Sequence, residues 1–193
     1  AKIGLETVQA EMFSAYSEGR AGMAIRLAKS SEVQQDIEKI VSFSETMIGA
    51  ESLQSLLLSE QMRKLAGGLA SLLDTGDAKT ASETGTSKAN AKATDSEETE
   101  SGAKEKVGRR QLGGVIELIA GVYLDCLAIR LCGSEARIVH TQYRKRLELC
   151  CQRFTPVQWQ EALTILLSAR RKVDQNIGIG MVTDWLAVRL VNL

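Results

Sequence analysis

Proline and histidine each occur once in the 193 residues, and aromatic residues make up only 4%. An all-β sandwich or barrel needs many turns and strands rich in β-branched or aromatic side chains, and this composition does not supply them. A single histidine leaves little room for histidine-based metal centres or histidine-based catalysis. No uninterrupted apolar run approaches the ~18 residues of a membrane span. The richest stretch, residues 112–132, is broken by Glu117, Asp125 and Arg130. The chain also opens without a basic segment followed by an apolar one, so no secretory leader is read there. It starts without Met and is helical in pattern almost at once, which suggests a region of a longer or processed protein. The four cysteines, Cys126, Cys132, Cys150 and Cys151, contain no C-x-x-C pair, and neighbouring cysteines rarely bond each other. They are expected as buried thiols in a reducing cytoplasm, with a zinc site as the alternative.

Net charge is missing as well: 24 basic side chains meet 24 acidic ones. The zero is a cancellation among unlike parts. Residues 1–73 carry 7 basic and 9 acidic groups, residues 74–108 carry 5 and 8, and residues 109–193 carry 12 and 7. The middle segment differs in kind, because Val107 is its only large aliphatic residue. Such a stretch cannot bury enough apolar surface to offset backbone ordering at ~1–2 kcal/mol per residue. It reads as a disordered acidic linker whose role is spacing or, alternatively, recognition.

What is present is helical periodicity on both sides of that linker. Ile3, Val8, Met12 and Tyr16 lie near helical spacing, and 18–22 interrupt them. Ser30 or Ser31 can cap a helix that turns Val33, Ile37, Ile40 and Val41 to a core and stops near Gly49. From Ser52, the residues Leu53, Leu56, Leu57, Leu65, Leu69, Leu72 and Leu73 suggest a broad apolar stripe. Gly67-Gly68 within it marks a close helix crossing or a weak point. Leu112, Val115, Ile116, Ile119, Val122, Tyr123, Cys126, Leu127 and Ile129 cover much of a helix circumference, so a buried central helix ending at Gly133 is expected. Residues 135–153 read as an Arg-rich helix with Ile138, Tyr143, Leu147 and Cys150 or Cys151 inward. Thr155-Pro156-Val157-Gln158 is a capping box with proline at the first helical position. Its helix carries Trp159, Ala162, Leu163, Ile165, Leu166 and Ala169 and ends near Val173. After a loop at 174–178, a last helix presents Met181, Trp185, Val188, Leu190 and Leu193. The fold class is all-α, a helical bundle.

Catalytic signatures are absent. There is no Walker A loop, no dinucleotide fingerprint, no nucleophile elbow and no H-E-x-x-H. Glu97-Glu98 sit in the linker with nothing to preorganise them, and His140 has no evident partner. The basic residues pose a choice. Arg137 and Arg144 are seven apart, as are Arg146 and Arg153, so each pair would share a helical face. They form either a solvated or subunit-facing surface or a phosphate-contacting one. Arg170, Arg171 and Lys172 close the next helix, where cations suit the macrodipole.

Two stretches together resemble a known family. The segment 17–28, Ser-Glu-Gly-Arg-Ala-Gly-Met-Ala-Ile-Arg-Leu-Ala, is similar to the end of the lid domain in bacterial DNA polymerase III clamp-loader subunits. The segment 169–190, in which Asn176 lies in a loop before a Leu-rich helix, resembles the end of their collar domain. Val122-Tyr123-Leu124-Asp125-Cys126-Leu127 resembles a core collar helix. The resemblance implies a lid end at 1–45, with Gly19, Gly22 and Ala24 as its motif, and a collar at 46–73 and 109–193. Gly22 stands where nucleotide-binding members have a sensor arginine, which implies a member that does not hydrolyse ATP. No cofactor or metal is then expected, and the chain is not itself an enzyme. The implied role is assembly with other clamp-loader subunits, supporting placement of a sliding clamp on primed DNA. Asn176, Met181, Trp185 and Leu190 are the implied subunit-contact residues. The alternative is a stand-alone helical adaptor that binds nucleic acid through Arg137, Arg144, Arg146 and Arg153.

Overall fold

The computed structural model describes residues 10, 12–14, 31–68 and 96–193, with residue 31 and residues 96–107 described by backbone alone. Six α-helices are given with both ends among the described residues: α1 (Ser31–Gly49), α2 (Ser55–Gly68), α3 (Ser96–Cys132), α4 (Arg144–Cys150), α5 (Pro156–Asp174) and α6 (Ile179–Val191). Short 3-10 turns at Ser52–Gln54, Gly133–Glu135 and Thr141–Tyr143 join some of them. No strand occurs among the described residues, and the fold is an all-α bundle as the periodicity requires.

The bundle is built around α3, which packs against all five other helices. Leu112, Val115, Ile119, Val122, Tyr123 and Cys126 are wholly buried on it. Its solvent side is a seven-residue repeat of Glu117, Leu124 and Leu131, all exposed. The segment Gly108–Glu135 is long and apolar enough to cross a membrane, yet 61% of its apolar window is buried inside the bundle. Helix α3 stops where expected. Gly133 takes φ 58°, a left-handed conformation that costs glycine least.

The N-terminal end of α3 departs from the expectation. The helix begins at Ser96, so residues 96–108, read above as linker, extend it. Four Glu and two Lys in this stretch are good helix formers, and the buried part of α3 supplies the nucleus that a short isolated helix lacks. Residues 74–95 of the expected linker lie outside the described residues. The lid–collar division at 45/46 falls inside α1, which continues unbroken to Gly49.

Helix α1 buries Val33, Ile37, Ile40 and Val41 as read, each at most 3% exposed. Helix α5 also matches. Thr155 Oγ1 accepts from the Gln158 N–H at 3.3 Å, and the Gln158 side chain accepts from the Thr155 N–H at 3.0 Å. Trp159, Ala162, Leu166 and Ala169 then fall in the core. Trp159 meets Tyr123 and Phe154 edge-on, with ring centroids 5.3 and 5.0 Å away, and its indole N–H donates to the Cys151 carbonyl.

Helix α2 has a different register from the one its leucines suggested. Its buried stripe is Ser55, Leu58, Ser59, Met62 and Ala66. Leu53, Leu56 and Leu57 point to solvent, Leu53 almost fully. The stripe meets α6, whose buried set Val182, Thr183, Leu186, Ala187 and Leu190 also contains small residues. Small side chains on both faces suit a close helix pair. Bulky Leu56 or Leu57 there would hold the helices apart. Gly67 and Gly68 end α2 with no neighbour near a would-be Cβ, so they mark no helix crossing among the described residues. On α6 itself Met181 and Val188 are exposed. Leu69, Leu72, Leu73 and most of the first expected helix lie outside the described residues, though Met12 is buried.

Candidate interaction surfaces

The expected Arg-rich helix over 135–153 is reduced to α4, only Arg144–Cys150. A buried carboxylate is the reason. Asp125 Oδ1 accepts from the Val139 N–H at 3.0 Å, and Oδ2 accepts from the His140 N–H at 2.8 Å. Asp125 Oδ2 also lies 2.7 Å from His140 Nδ1, with both side chains at most 4% exposed. In its Nδ1–H tautomer the imidazole donates to that oxygen. The carboxylate therefore takes up N–H groups that a helix over 135–143 would have turned to its own carbonyls. Arg144 closes the loop from the other side, donating to the Ala136 and Gly133 carbonyls. His140 is thus a positioned part of the core.

This local structure scatters the four arginines offered as nucleic-acid contacts. Arg137 lies in the loop before α4 and Arg153 beyond its end, both exposed. Arg144 is engaged with the loop carbonyls and lies 3.5 Å from Glu148. Arg146 is clamped to α1. Its Nε donates to Glu45 at 2.8 Å, its Nη1 to Glu38 at 2.5 Å, and its Nη2 to Ser42 at 3.0 Å and to Glu45 at 2.5 Å. The guanidinium also sits over the Tyr143 ring. The Arg146 hydrogen bond holds the Glu38 carboxyl below its usual range, against partial burial. The Tyr143 hydroxyl is pushed up to about 12, first by burial and then by Glu38. Two of the four cations thus hold the fold together, and the two face-sharing pairs do not form. The sequence carried one hint of this: Glu38, Ser42 and Glu45 lie four and three apart on a single face of α1.

The residues offered as subunit contacts fare unevenly. Met181 is 71% exposed, whereas Leu190 is buried at 1% and belongs to the core. Leu190 is corrected accordingly: the small-residue pairing of α2 and α6 encloses it. Trp185 is half-buried beneath Lys172, whose ammonium stands 4.8 Å from the ring centroid. Asn176 is exposed, takes φ 62°, and accepts from Arg109 Nη1 at 2.8 Å. Gly19, Gly22 and Ala24 lie outside the described residues.

The exposed leucines of α2 were missed as surface because their spacing was read as core. Helices α2 and α6 run antiparallel. Ser52 Oγ donates to Asn192 Oδ1 at 2.6 Å at one end, and Arg63 Nη1 donates to Thr183 and Asp184 at 2.7 and 2.9 Å towards the other. Leu53, Leu56 and Leu57 therefore lie at the same end of the pair as exposed Val188. Hydrogen bonds from Ser59 and Arg63 keep the Asp184 carboxyl below its usual range.

The cysteines form no disulfide. Burial pushes the Cys126 thiol well up and the Cys150 and Cys151 thiols up less far. No group of three or more His, Cys, Asp or Glu able to hold a metal occurs among the described residues. Comparison with protein-family models, curated proteins and solved structures returns no match.

Proposed function

We propose that this chain is an assembly module: the collar, with the end of the lid, of a bacterial clamp-loader subunit resembling delta-prime of DNA polymerase III. The observation that carries the assembly reading is the unburied end of the α2–α6 pair, with Leu53, Leu56, Leu57 and Val188 in solvent. Apolar side chains grouped on one helix pair mark a protein contact more often than a solvated face. The clamp-loader form of the reading rests on the order of the segments at 17–28 and 169–190.

In this reading the partners are the delta and tau/gamma-type subunits, met through the collar in a cytoplasmic hetero-oligomer. The neighbouring subunits hydrolyse ATP, and the assembly places the sliding clamp on primed DNA. The stand-alone nucleic-acid adaptor is the weaker reading, because Arg144 and Arg146 spend their guanidiniums on the fold.

The test is co-purification and sedimentation with delta and tau/gamma-type subunits. The double variant Leu56→Asp/Leu57→Asp is expected to keep its helical circular dichroism and thermal midpoint, since both side chains are exposed. It is expected to lose at least about tenfold in association, the effect of ~1.4 kcal/mol at an interface. Undiminished association of the folded variant rejects this surface as the interface. Failure of the unaltered chain to associate rejects the clamp-loader identity.

A further inference from the structure

We infer that the cleft between α3 and the C-terminal end of α5 is a binding site for a phosphate group. The cleft encloses ≈ 250 Å³ and is lined by Arg109 and Arg110 of α3, by Arg170, Val173 and Asp174 of α5, and by Asn176 of the following loop. Guanidiniums from two helices therefore line one concavity.

Two of them are held in orientation. Arg170 Nε donates to Glu117 at 2.6 Å, and its Nη1 donates to Asp174. This guanidinium lies directly against α3 at Gly113, where an added Cβ would come within 3.0 Å of Arg170 Cζ. Arg109 is oriented by the Asn176 side-chain carbonyl. Asn176 is itself set by its left-handed backbone and by an N–H bonded to the Val173 carbonyl at 3.1 Å. The site does not require any of these arginines to lack protein partners. A guanidinium has five N–H donors and serves protein and ligand oxygens together.

The charge balance favours an anion. Three guanidiniums, Arg109, Arg110 and Arg170, line the cleft against one lining carboxylate, Asp174, with Glu117 paired to Arg170 beside it. The negative end of α5 points here, but the N–H groups of Gln175, Asn176 and Ile177 already take up the Arg171, Val173 and Lys172 carbonyls. The choice of phosphate over carboxylate follows from shape. A planar carboxylate is satisfied by one guanidinium fork, whereas a tetrahedral phosphate presents oxygens to groups converging from two helices.

The test titrates the full chain with sodium phosphate at neutral pH against sodium chloride of equal ionic strength, following arginine Nε–Hε resonances by NMR. A saturable shift specific to phosphate is expected, with binding at least about tenfold weaker in Arg110→Gln, the scale of one lost hydrogen bond to a charged group. Arg110 is exposed, and the melting of that variant without phosphate, measured beside the parent's, separates loss of binding from loss of fold. An equal response to chloride overturns the inference, as does undiminished binding by Arg110→Gln. The phosphate–chloride comparison needs no variant. A second arm uses a short single-stranded oligonucleotide. Tighter binding than inorganic phosphate, weakened in Arg110→Gln, identifies a nucleic-acid backbone as the source. Binding no tighter than inorganic phosphate identifies a small phosphorylated molecule.

Discussion

Tyr123 carries its hydroxyl into the centre of the bundle and meets no hydrogen-bond partner among the described residues. Burial raises its pKa far above the usual phenol range, so the group stays protonated and inert. An unsatisfied buried hydroxyl costs stability, while the ring still meets Trp159 edge-on. Tyr123→Phe is therefore expected to raise stability by about 1 kcal/mol, read as a higher urea midpoint at unchanged slope. A lower midpoint would mean that the hydroxyl has an ordered acceptor. Glu38 gives a prediction of a different kind. Its pKa is lower in the folded chain than the ordinary 4.5, chiefly through Arg146. Stability from that shift is fully present above pH 4.5 and is lost as pH falls through the folded value. Glu38→Gln should destabilise the chain at neutral pH and flatten the acid side of its stability profile. An unchanged profile from urea titrations at several pH values would remove Glu38 from the balance.

At the scale of elements, the segment before α4 shows how a single side chain overrides periodicity. Residues 135–143 are helical by pattern, yet Asp125 on α3 fixes their backbone in another course. Asp125→Ala is expected to cost about 3 kcal/mol, because it strands two N–H groups and an imidazole in the core. Amide exchange at Val139 and His140 should rise before exchange in α5 does. Simultaneous loss of protection in both would show that the loop and bundle are one cooperative unit. The contrast with α5 explains what was legible. The capping box at Thr155 and Gln158 is local in sequence, and so is the period of α3. The Asp125 contacts join residues 14 and 15 positions apart, the Arg146 clamp spans more than 100, and no local pattern encodes either. Helix α2 was misread for a related reason. Leucine spacing marks an apolar face, but which face is buried depends on the small residues of α6. The beginning of α3 was hidden because composition alone does not register support from a long buried helix. Of the surfaces, exposed Leu56 and Leu57 and the cleft around Arg170 needed three dimensions.

For the whole molecule, the charge inventory takes on structural content. Acidic α1 and the basic α4 region are joined by Arg146, and α3 and α5 by Glu117, Arg170 and Asp174. A small part of the cancellation to zero is thus contact between helices. The exposed apolar end of α2 and α6 remains outside those pairings. Association through it is expected to be nearly independent of salt, because burial of apolar surface is not screened as exposed charge is. Sedimentation at low and at high salt checks this, and strong dissociation by salt would shift the interface to the basic residues.

The α2–α6 pairing also sets an order of events in folding. Ser52 and Asn192 are 140 positions apart, and Arg63 and Thr183 are 120 apart. Helices α3, α5 and α6, by contrast, are nearly consecutive. Contact between α2 and α6 closes a loop of more than a hundred residues, and that closure entropy comes before the contact rewards it. The C-terminal helices are therefore expected to condense first around α3, with the α2–α6 contact following. Until then, the small-residue groove of α6 is open, and that interval is when the chain is most exposed to pairing with another copy of itself.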